Sequence, residues 1–283
     1  MRGLIVTADD FGLHERVNDA VARAHREGVL TCASLMAGAR AAHHAVKIAR
    51  ELPALRIGLH LVLTDGVASL PHGSIPDLVD ARGNFESSMF ENGVRFYFLP
   101  GVRRQLAREI HAQFEAFAAT GLELDHVNVH KHFHLHPTVL ELILEIGAQF
   151  GMRAMRLPRE RHGSLFLAPW IARVKKRLDD AGIVHNDWVA GIAQTGRMDE
   201  AALLALLAKA PDGVLEIYSH PATAGGPLTP SMRNYRHEDE LVALCSPRVA
   251  RAIEATGAMH GGFADVFGAQ EAERTNALAR ERA

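Results

Sequence analysis

The sequence predicts an α/β protein built on a parallel sheet, and three observations support this fold class. Short apolar runs alternate with helical patterns about seven times along the 283 residues, which is typical of strands joined by helical crossovers. No phosphate-binding glycine motif follows the first apolar run, so a nucleotide-binding doubly wound sheet is disfavoured. Polar residues recur where the apolar runs end, as they do at the active-site face of β/α barrels. We therefore predict a TIM-barrel-like fold, complete or irregular, with an open α/β sheet as the alternative.

The first part of the chain contains three strand patterns separated by two helical ones. The run at residues 3–8 is short and mostly apolar, as expected of a strand that is buried on both faces. The helical pattern after it stops at Gly28, a residue type that favours helix C-termini. We predict strands at 3–8, 29–37 and 56–63, and helices at 14–28 and 40–52.

Residues 64–101 interrupt this alternation. The segment carries three prolines and several glycines, and its centre, FENGVRFYFLP at 90–100, is aromatic and apolar. Loops of this length inside a compact domain are usually functional or disordered. We predict an ordered lid or substrate-binding insertion within a single catalytic domain that spans residues 1–283.

The alternation resumes after the insertion and continues to the end of the chain. We predict strands at 154–158, 184–193 and 213–220, helices at 102–120, 136–150, 165–181 and 199–209, and a final helical region at 237–256. The charged segment 270–283 is expected to form a helical or frayed tail.

Composition excludes several classes of protein. A formal net charge of −2 argues against a general electrostatic attraction to nucleic acid or to an anionic membrane. Two cysteines are too few for a disulfide scaffold or a cysteine-rich zinc module. No apolar run is long enough for a signal peptide core or a membrane span. We expect a cytoplasmic protein, and a peripheral contact with a membrane is left open.

Histidines are unusually dense in one stretch, LDHVNVHKHFHLHP at residues 124–137. Its apolar residues indicate a strand that runs into a turn before the next helix. Imidazole is the commonest metal ligand in proteins, so the turn is a candidate metal site. If the strand continues, His130 and His132 share a face, and at least one of them is expected to bind a metal. The five histidines are His126, His130, His132, His134 and His136.

Other polar residues at strand ends complete a candidate catalytic set. Asp9 and Asp10 follow the first strand, His60 lies in the third, and His220 follows the run at 213–220. Taken singly, an aspartate here could cap a helix, and each histidine could be structural. Taken together, one carboxylate and two imidazoles form a metal site with open positions. A second carboxylate and a separate histidine could then act as base and acid in amide or ester hydrolysis.

These residues lie in motifs that resemble the YdjC-like carbohydrate deacetylases, the family that includes chitooligosaccharide deacetylase. The resemblance covers nearly the whole chain and is specific as an ordered set. Its motifs are TADDFG at 7–12, GLHL at 58–61, HVNVHKHFHLHP at 126–137, RLPRE at 156–160, SHPA at 219–222 and RNYRHEDEL at 233–241.

The resemblance implies a TIM-barrel-like fold and one divalent metal ion, zinc or magnesium, held by Asp10, His60 and His130. It also implies that Asp9 is the general base and His220 the general acid in removing acetate from an N-acetylated sugar. The choice between His130 and His132 as ligand is left open. At position 128 the family often has Asp, whereas this chain has Asn128. The residues expected near the ligands or the substrate are His132, Phe11, Asn128, Arg156 and Arg233.

Within the family the chain most resembles the subgroup associated with hopanoid biosynthesis. This implies an N-acetylglucosaminyl group on a hopanoid lipid as substrate. The segments 90–100 and 166–171 would suit a lipid-bearing substrate, although ordinary interior packing explains them equally well. The alternatives are a chitooligosaccharide substrate, another metal-dependent hydrolase such as a phosphoesterase, and a barrel that only binds a sugar or lipid. A homodimer is compatible with such a barrel.

Overall fold

The computed structural model describes residues 1–86, 88–161, 163 and 166–269. Its centre is a parallel sheet with the strand order β4-β3-β2-β1-β6-β5. The strands are β1 (Gly3–Phe11), β2 (Cys32–Leu35), β3 (Arg56–Leu61), β4 (Val127–Val129), β5 (Trp188–Ala190) and β6 (Val214–Ser219). A two-residue strand that the sequence patterns did not predict, β7 (Met259–His260), pairs with the start of β1.

The sheet curls so that its two outer strands, β4 and β5, approach each other. Isolated parallel bridges link Val127 to Met155 and Ala154 to Val184. The backbone N–H of Val189 in β5 donates to the carbonyl of Arg159 at 2.8 Å. The strand predicted at 154–158 is therefore reduced to isolated bridges between the outer strands. This curled parallel sheet surrounded by helices confirms the predicted TIM-barrel-like fold.

Helices cover the outside of the sheet. They are α1 (Glu15–Glu27), α2 (Ala42–Glu51), α3 (Met89–Phe98), α4 (Pro100–Ala118), α5 (Pro137–Gln149), α6 (Ala168–Asp180), α7 (Glu200–Leu207), α8 (His237–Leu244) and α9 (Pro247–Glu254). Short 3-10 helices lie at His72–Ser74, His130–Leu135 and Pro230–Met232. Residues 263–269 are also helical.

The helical region predicted at 237–256 consists of two helices, because the chain breaks at Ser246 and Pro247. The Ser246 hydroxyl accepts the backbone N–H groups of Arg248 and Val249, at 3.1 and 3.4 Å. Pro247 has no backbone N–H to continue α8, but it suits the first position of α9. Ser246 therefore caps the N-terminus of α9 and Pro247 begins it, although the apolar pattern continues across both residues.

The sheet is buried on both faces, as the apolar strand patterns predict. All nine residues of β1 are buried, and α1 packs against them with Val17 and Val21. A parallel sheet covered by crossover helices has no face open to water. The polar groups found within these strands are therefore enclosed, and each needs a partner inside the protein.

The insertion at 64–101 is folded against the barrel. Antiparallel bridges join Val67 to Asn84 and Val79 to Phe85, and α3 occupies its second half. The buried Glu109 carboxylate of α4 accepts the backbone N–H groups of Ser69 and Leu70, at 2.8 and 2.9 Å. The segment is thus ordered along these contacts; its role as a lid and the single-domain organisation stay predictions. The expected tail at 270–283 lies outside the described residues.

Candidate metal centre and active site

Three strand ends deliver the polar residues singled out in the sequence. Asp9 and Asp10 lie near the end of β1, His60 lies near the end of β3, and His130 directly follows β4. Asp10 has a φ of 62°, and the pairing of β1 with β2 shifts register between Ala8 and Phe11. The regular strand alternation therefore breaks at Asp10, and both carboxylates are enclosed at this edge of the sheet.

Asp10, His60 and His130 converge on one point. Asp10 Oδ1 lies 3.3 Å from His60 Nε2 and 3.2 Å from His130 Nδ1, and the two nitrogens are 3.3 Å apart. All three side chains are buried. Within the part of the chain that the structure describes, neither Asp10 oxygen accepts a well-aligned hydrogen bond. Burial opposes ionisation of Asp10, but His130 and His60 hold its pKa well below the usual range.

This arrangement fits a divalent metal ion. Four-coordinate zinc with bonds of about 2.0–2.1 Å to nitrogen and oxygen separates its ligand atoms by about 3.3 Å. The spacing found here matches that value. A buried carboxylate without good hydrogen bonds is otherwise costly, and a cation at the point of convergence would satisfy it. Two imidazoles and one carboxylate would leave further positions for water and substrate.

Asn128 fixes which nitrogen of His60 faces this point. His60 Nδ1 donates to Asn128 Oδ1 at 2.5 Å, so the lone pair of Nε2 is directed toward Asp10. The Asn128 amide nitrogen donates to Asp9 Oδ1 at 2.9 Å and to Ser34 Oγ at 2.8 Å. Asn128 therefore links His60 to Asp9.

His132 does not reach Asp10. Lys131 and His132 have φ values of 54° and 55°, so the chain leaves the extended conformation after Val129. Because β4 ends at Val129, the condition under which His130 and His132 would share a strand face is not met. His132 Nε2 instead lies 3.2 Å from the Tyr218 hydroxyl, and burial together with the Arg156 charge lowers the His132 pKa well below its usual value.

Asp9 is held by the buried guanidinium of Arg156. Arg156 Nη1 donates to Asp9 Oδ2 at 2.6 Å and Nη2 donates to Oδ1 at 2.9 Å. The same guanidinium donates to both oxygens of Glu216 in β6, at 3.0 and 2.8 Å. Burial alone would raise the pKa of Asp9, but the Arg156 charge outweighs it and lowers the pKa far below the usual range. The Arg156 charge therefore favours the ionised form of Asp9 at neutral pH.

His220 lies near the second carboxylate oxygen of Asp10, Oδ2, whereas His60 and His130 lie near Oδ1. His220 Nε2 lies 4.0 Å from Asp10 Oδ2. Its backbone is fixed on both sides, because its N–H donates to Glu240 Oε2 at 2.5 Å and its carbonyl accepts from His237 Nδ1 at 2.6 Å. Burial lowers the pKa of His220 despite the neighbouring carboxylates. Its Nδ1 has no hydrogen-bond partner among the described residues.

Two adjoining cavities open at this edge. A cavity of about 160 Å³ is lined by Asp9, His60, His130 and His220, together with Tyr218 and Tyr235. A larger cavity of about 430 Å³ shares His130 and Met232 with it. The larger cavity runs between the segment after β2, the insertion and the 3-10 helix Pro230–Met232. It is lined mainly by apolar residues, among them Leu13, Met36, Val67, Phe85 and Leu228.

The remaining predicted residues take other places. Phe11 is fully buried in the core, and Arg233 is exposed after the 3-10 helix Pro230–Met232. His134 is fully buried, and burial lowers its pKa to about 3. His136 lies against α3, with its ring centroid 6.2 Å from that of Phe96. Of the five clustered histidines, His130 is the one that contacts Asp10 in the described part of the chain.

A second group of possible ligands is explained by hydrogen bonds. His126 Nδ1 donates to Asp125 Oδ2 at 2.8 Å, and His126 Nε2 accepts from Ser34 Oγ at 2.9 Å. Asp125 also accepts the backbone N–H groups of Phe263 and Ala264, at 3.2 and 2.9 Å. These atoms are satisfied without a metal. These hydrogen bonds connect Asp125 through His126 and Ser34 to Asn128. They therefore help to hold Asn128 in place beside His60.

Sequence patterns missed three supporting residues: Ser34, Glu216 and Glu240. Glu216 carried a signal, because a charged residue in the middle of the apolar run GVLEIYSH needs a buried partner. Glu240 lies in an exposed-looking charged stretch, and burial raises its pKa to about 7. Ser34 in CASL carried no signal.

Comparisons with known proteins show which family the chain resembles. A model of the family described as YdjC-like protein matches residues 3–255. A carbohydrate deacetylase of Brevibacillus brevis is 32% identical over 77% of this chain and 81% of its own length. A chitooligosaccharide deacetylase of an Enterobacter species is 31% identical over 93% and 98%. A solved structure from Enterococcus faecalis, named for cellobiose-phosphate cleavage, is 25% identical with a TM-score of 0.76, and covers 93% of this chain and 97% of its own.

Proposed function

Because the chain belongs to the YdjC-like family, we propose that it is a metal-dependent carbohydrate N-deacetylase that releases acetate from an N-acetylglucosaminyl group. Relatives that align over most of their length are named carbohydrate deacetylase or chitooligosaccharide deacetylase, which supports hydrolysis of an amide bond. The observation that carries the proposal is the convergence of Asp10, His60 and His130 within 3.2–3.3 Å of one another. Asp9 and His220 flank this group in the same cavity.

Asp10, His60 and His130 would hold the metal, which when bound acidifies a water molecule and polarises the acetyl carbonyl. Asp9 accepts the proton of the attacking water. Arg156 and Asn128 keep its carboxylate ionised and oriented, although they also lower its basicity. His220, which lines the same cavity, donates a proton to the departing sugar amine. Tyr218 and Tyr235 flank the His220 ring, with centroids 5.5 and 5.1 Å away, and limit its rotation.

Zinc is the ion we favour. The ligand spacing matches tetrahedral coordination, and two imidazoles suit zinc or another transition metal better than magnesium, which prefers oxygen ligands and several waters. Metal analysis of the purified protein, before and after treatment with a chelator, tests this choice. Acetate release restored by magnesium but not by zinc would contradict it.

The roles of the residues are tested by separating metal content from turnover. Asp10→Ala and His60→Ala are expected to lose both the metal and acetate release. Asp9→Asn and His220→Ala are expected to retain the metal and lose turnover by at least about 10²-fold, the scale of acid–base catalysis. His132→Ala is the matched control, because this buried histidine lies near the site without contacting Asp10, and it should keep the metal. Full turnover by Asp9→Asn or metal loss in His132→Ala would contradict the assignment.

We further infer that the sugar is carried by a hopanoid lipid. The resemblance to the hopanoid-associated subgroup supports this substrate, and the apolar cavity that adjoins the site through His130 and Met232 could receive an apolar aglycone. Acetate release would be compared between an N-acetylglucosaminyl hopanoid and diacetylchitobiose, and phosphate release would be measured with a sugar phosphate ester. Release from diacetylchitobiose alone would keep the chemistry and reject the lipid, whereas phosphate release alone would favour a phosphoesterase.

A cytoplasmic location and a homodimer stay predictions. Among the described residues, no helix combines the length and the hydropathy needed to cross a bilayer. Fractionation of cells and sedimentation of the purified protein would test the two predictions separately.

A further inference from the structure

Exposed apolar side chains are concentrated in two segments. Of twelve large apolar side chains that are exposed in the described residues, eight belong to α3 and its end or to the start of α6. Phe98 is 69% exposed and Phe166 is 96% exposed, so neither is core packing. We call this set the aromatic collar. It consists of Phe90, Val94, Tyr97, Phe98, Leu99, Phe166, Leu167 and Trp170.

Both parts of the collar flank the turn that begins at the metal site. The Tyr97 ring lies edge-on to His136, with centroids 6.4 Å apart. The Trp170 indole N–H donates to the carbonyl of Leu135. Leu135 and His136 close the 3-10 segment that starts at His130. Both parts of the collar therefore contact the end of the segment that follows the proposed ligand His130.

Positive charge accompanies the collar. Residues 89–104 and 166–177 contain seven arginines and lysines but a single acidic residue, whereas the whole chain has a net charge of −2. Some of these cations are paired with neighbouring carboxylates, as Lys175 is with Asp179. Within these two segments, three exposed arginines form no ion pair with any described residue: Arg104, Arg173 and Arg177.

We propose that the aromatic collar docks this protein on the surface of an anionic lipid bilayer. Phenylalanine, tyrosine and tryptophan beside arginine and lysine are typical of surfaces that lie in the membrane interface. The positive charge distinguishes this partner from a second copy of the chain. In a two-fold dimer the same patch would face itself, and the arginines would repel one another. Docking does not depend on the deacetylation chemistry, since it involves none of the proposed metal ligands.

The test is sedimentation of the full-length protein with vesicles, which requires no turnover. Binding is expected with phosphatidylcholine vesicles that contain phosphatidylglycerol, and it should weaken as salt rises. Pure phosphatidylcholine vesicles should bind far less. Arg173→Gln with Arg177→Gln should weaken binding about thirtyfold, because each basic residue near an anionic surface contributes a factor of about five. Phe98→Ser with Phe166→Ser should also weaken it.

Val242→Ser is the matched control, because Val242 is 66% exposed on α8, outside the collar, and its vesicle binding should be unchanged. The collar variants should keep the circular dichroism spectrum and the urea unfolding midpoint of the original protein, which separates docking from folding. Equal binding to neutral vesicles, or equal weakening by Val242→Ser, would overturn the proposal. Self-association that Phe98→Ser abolishes, without vesicle binding, would identify the collar as a contact between copies.

Discussion

Replacing Arg156 by methionine should destabilise the protein strongly and change the pH dependence of its activity. The guanidinium is fully buried and donates four hydrogen bonds to two carboxylates, Asp9 and Glu216. Removing one partner of a buried ion pair costs about 3–5 kcal/mol. Because two carboxylates lose their cation here, we expect a loss near 5 kcal/mol, measured by urea unfolding at neutral pH.

The pH dependence follows from the pKa of Asp9. Arg156 lowers it below the ordinary 3.8, so the ion pair stabilises the fold above that pH and the stabilisation is lost as pH falls below it. Without Arg156, burial raises the pKa of Asp9. If Asp9 is the base, the acidic limb of the kcat/KM profile of Arg156→Met should move to higher pH.

Two comparisons make this prediction refutable. Arg248→Met removes an arginine that pairs with Glu200 at 2.7 Å but is 64% exposed, and it should cost no more than about 1 kcal/mol. Adding Glu216→Gln to Arg156→Met should recover part of the loss, since one orphaned charge disappears. The reasoning fails if both arginine variants lose similar stability, or if the acidic limb does not move.

Three further predictions concern the support of the site. Asn128→Leu should weaken metal binding by about 10–100-fold in a chelator competition, because His60 Nδ1 loses its partner; unchanged affinity would contradict this. Burial raises the pKa of Glu240 from 4.5 to about 7, so the free energy of unfolding should fall by about 3 kcal/mol as pH rises between these values. In urea unfolding, Glu240→Gln should make the free energy of unfolding less dependent on pH over this range. Gly58→Ala would place a Cβ 2.5 Å from the His126 ring and should cost about 1–3 kcal/mol, whereas Gly73→Ala, with open space around it, should leave the melting temperature nearly unchanged.

The sequence predicted the βα alternation because apolar periodicity is a local property. It predicted which strand ends would meet, since parallel strands bring their carboxyl ends to one edge. The conformation after Val129 could not be read in this way. Lys131 and His132 adopt left-handed φ values. The two-residue periodicity of a strand therefore does not apply to the side chains after Val129. Glu216 and Ser34 act through partners more than 50 residues away in sequence, which no local pattern encodes.

The left-handed backbone at Asp10, Lys131 and His132 has a consequence for engineering. Each non-glycine residue in this conformation lowers the free energy of unfolding by about 1–2 kcal/mol. The protein is therefore less stable than it would be with regular backbone at these positions, which orient groups of the proposed site. Asp10 cannot be exchanged without losing a carboxylate from the proposed metal site. Among the described residues, Lys131 pairs with Asp65 and lines the cavity beside His130 without being a proposed ligand, so Lys131→Gly should raise the melting temperature and leave the three proposed ligands in place. A more heat-resistant form of this protein would begin at that position.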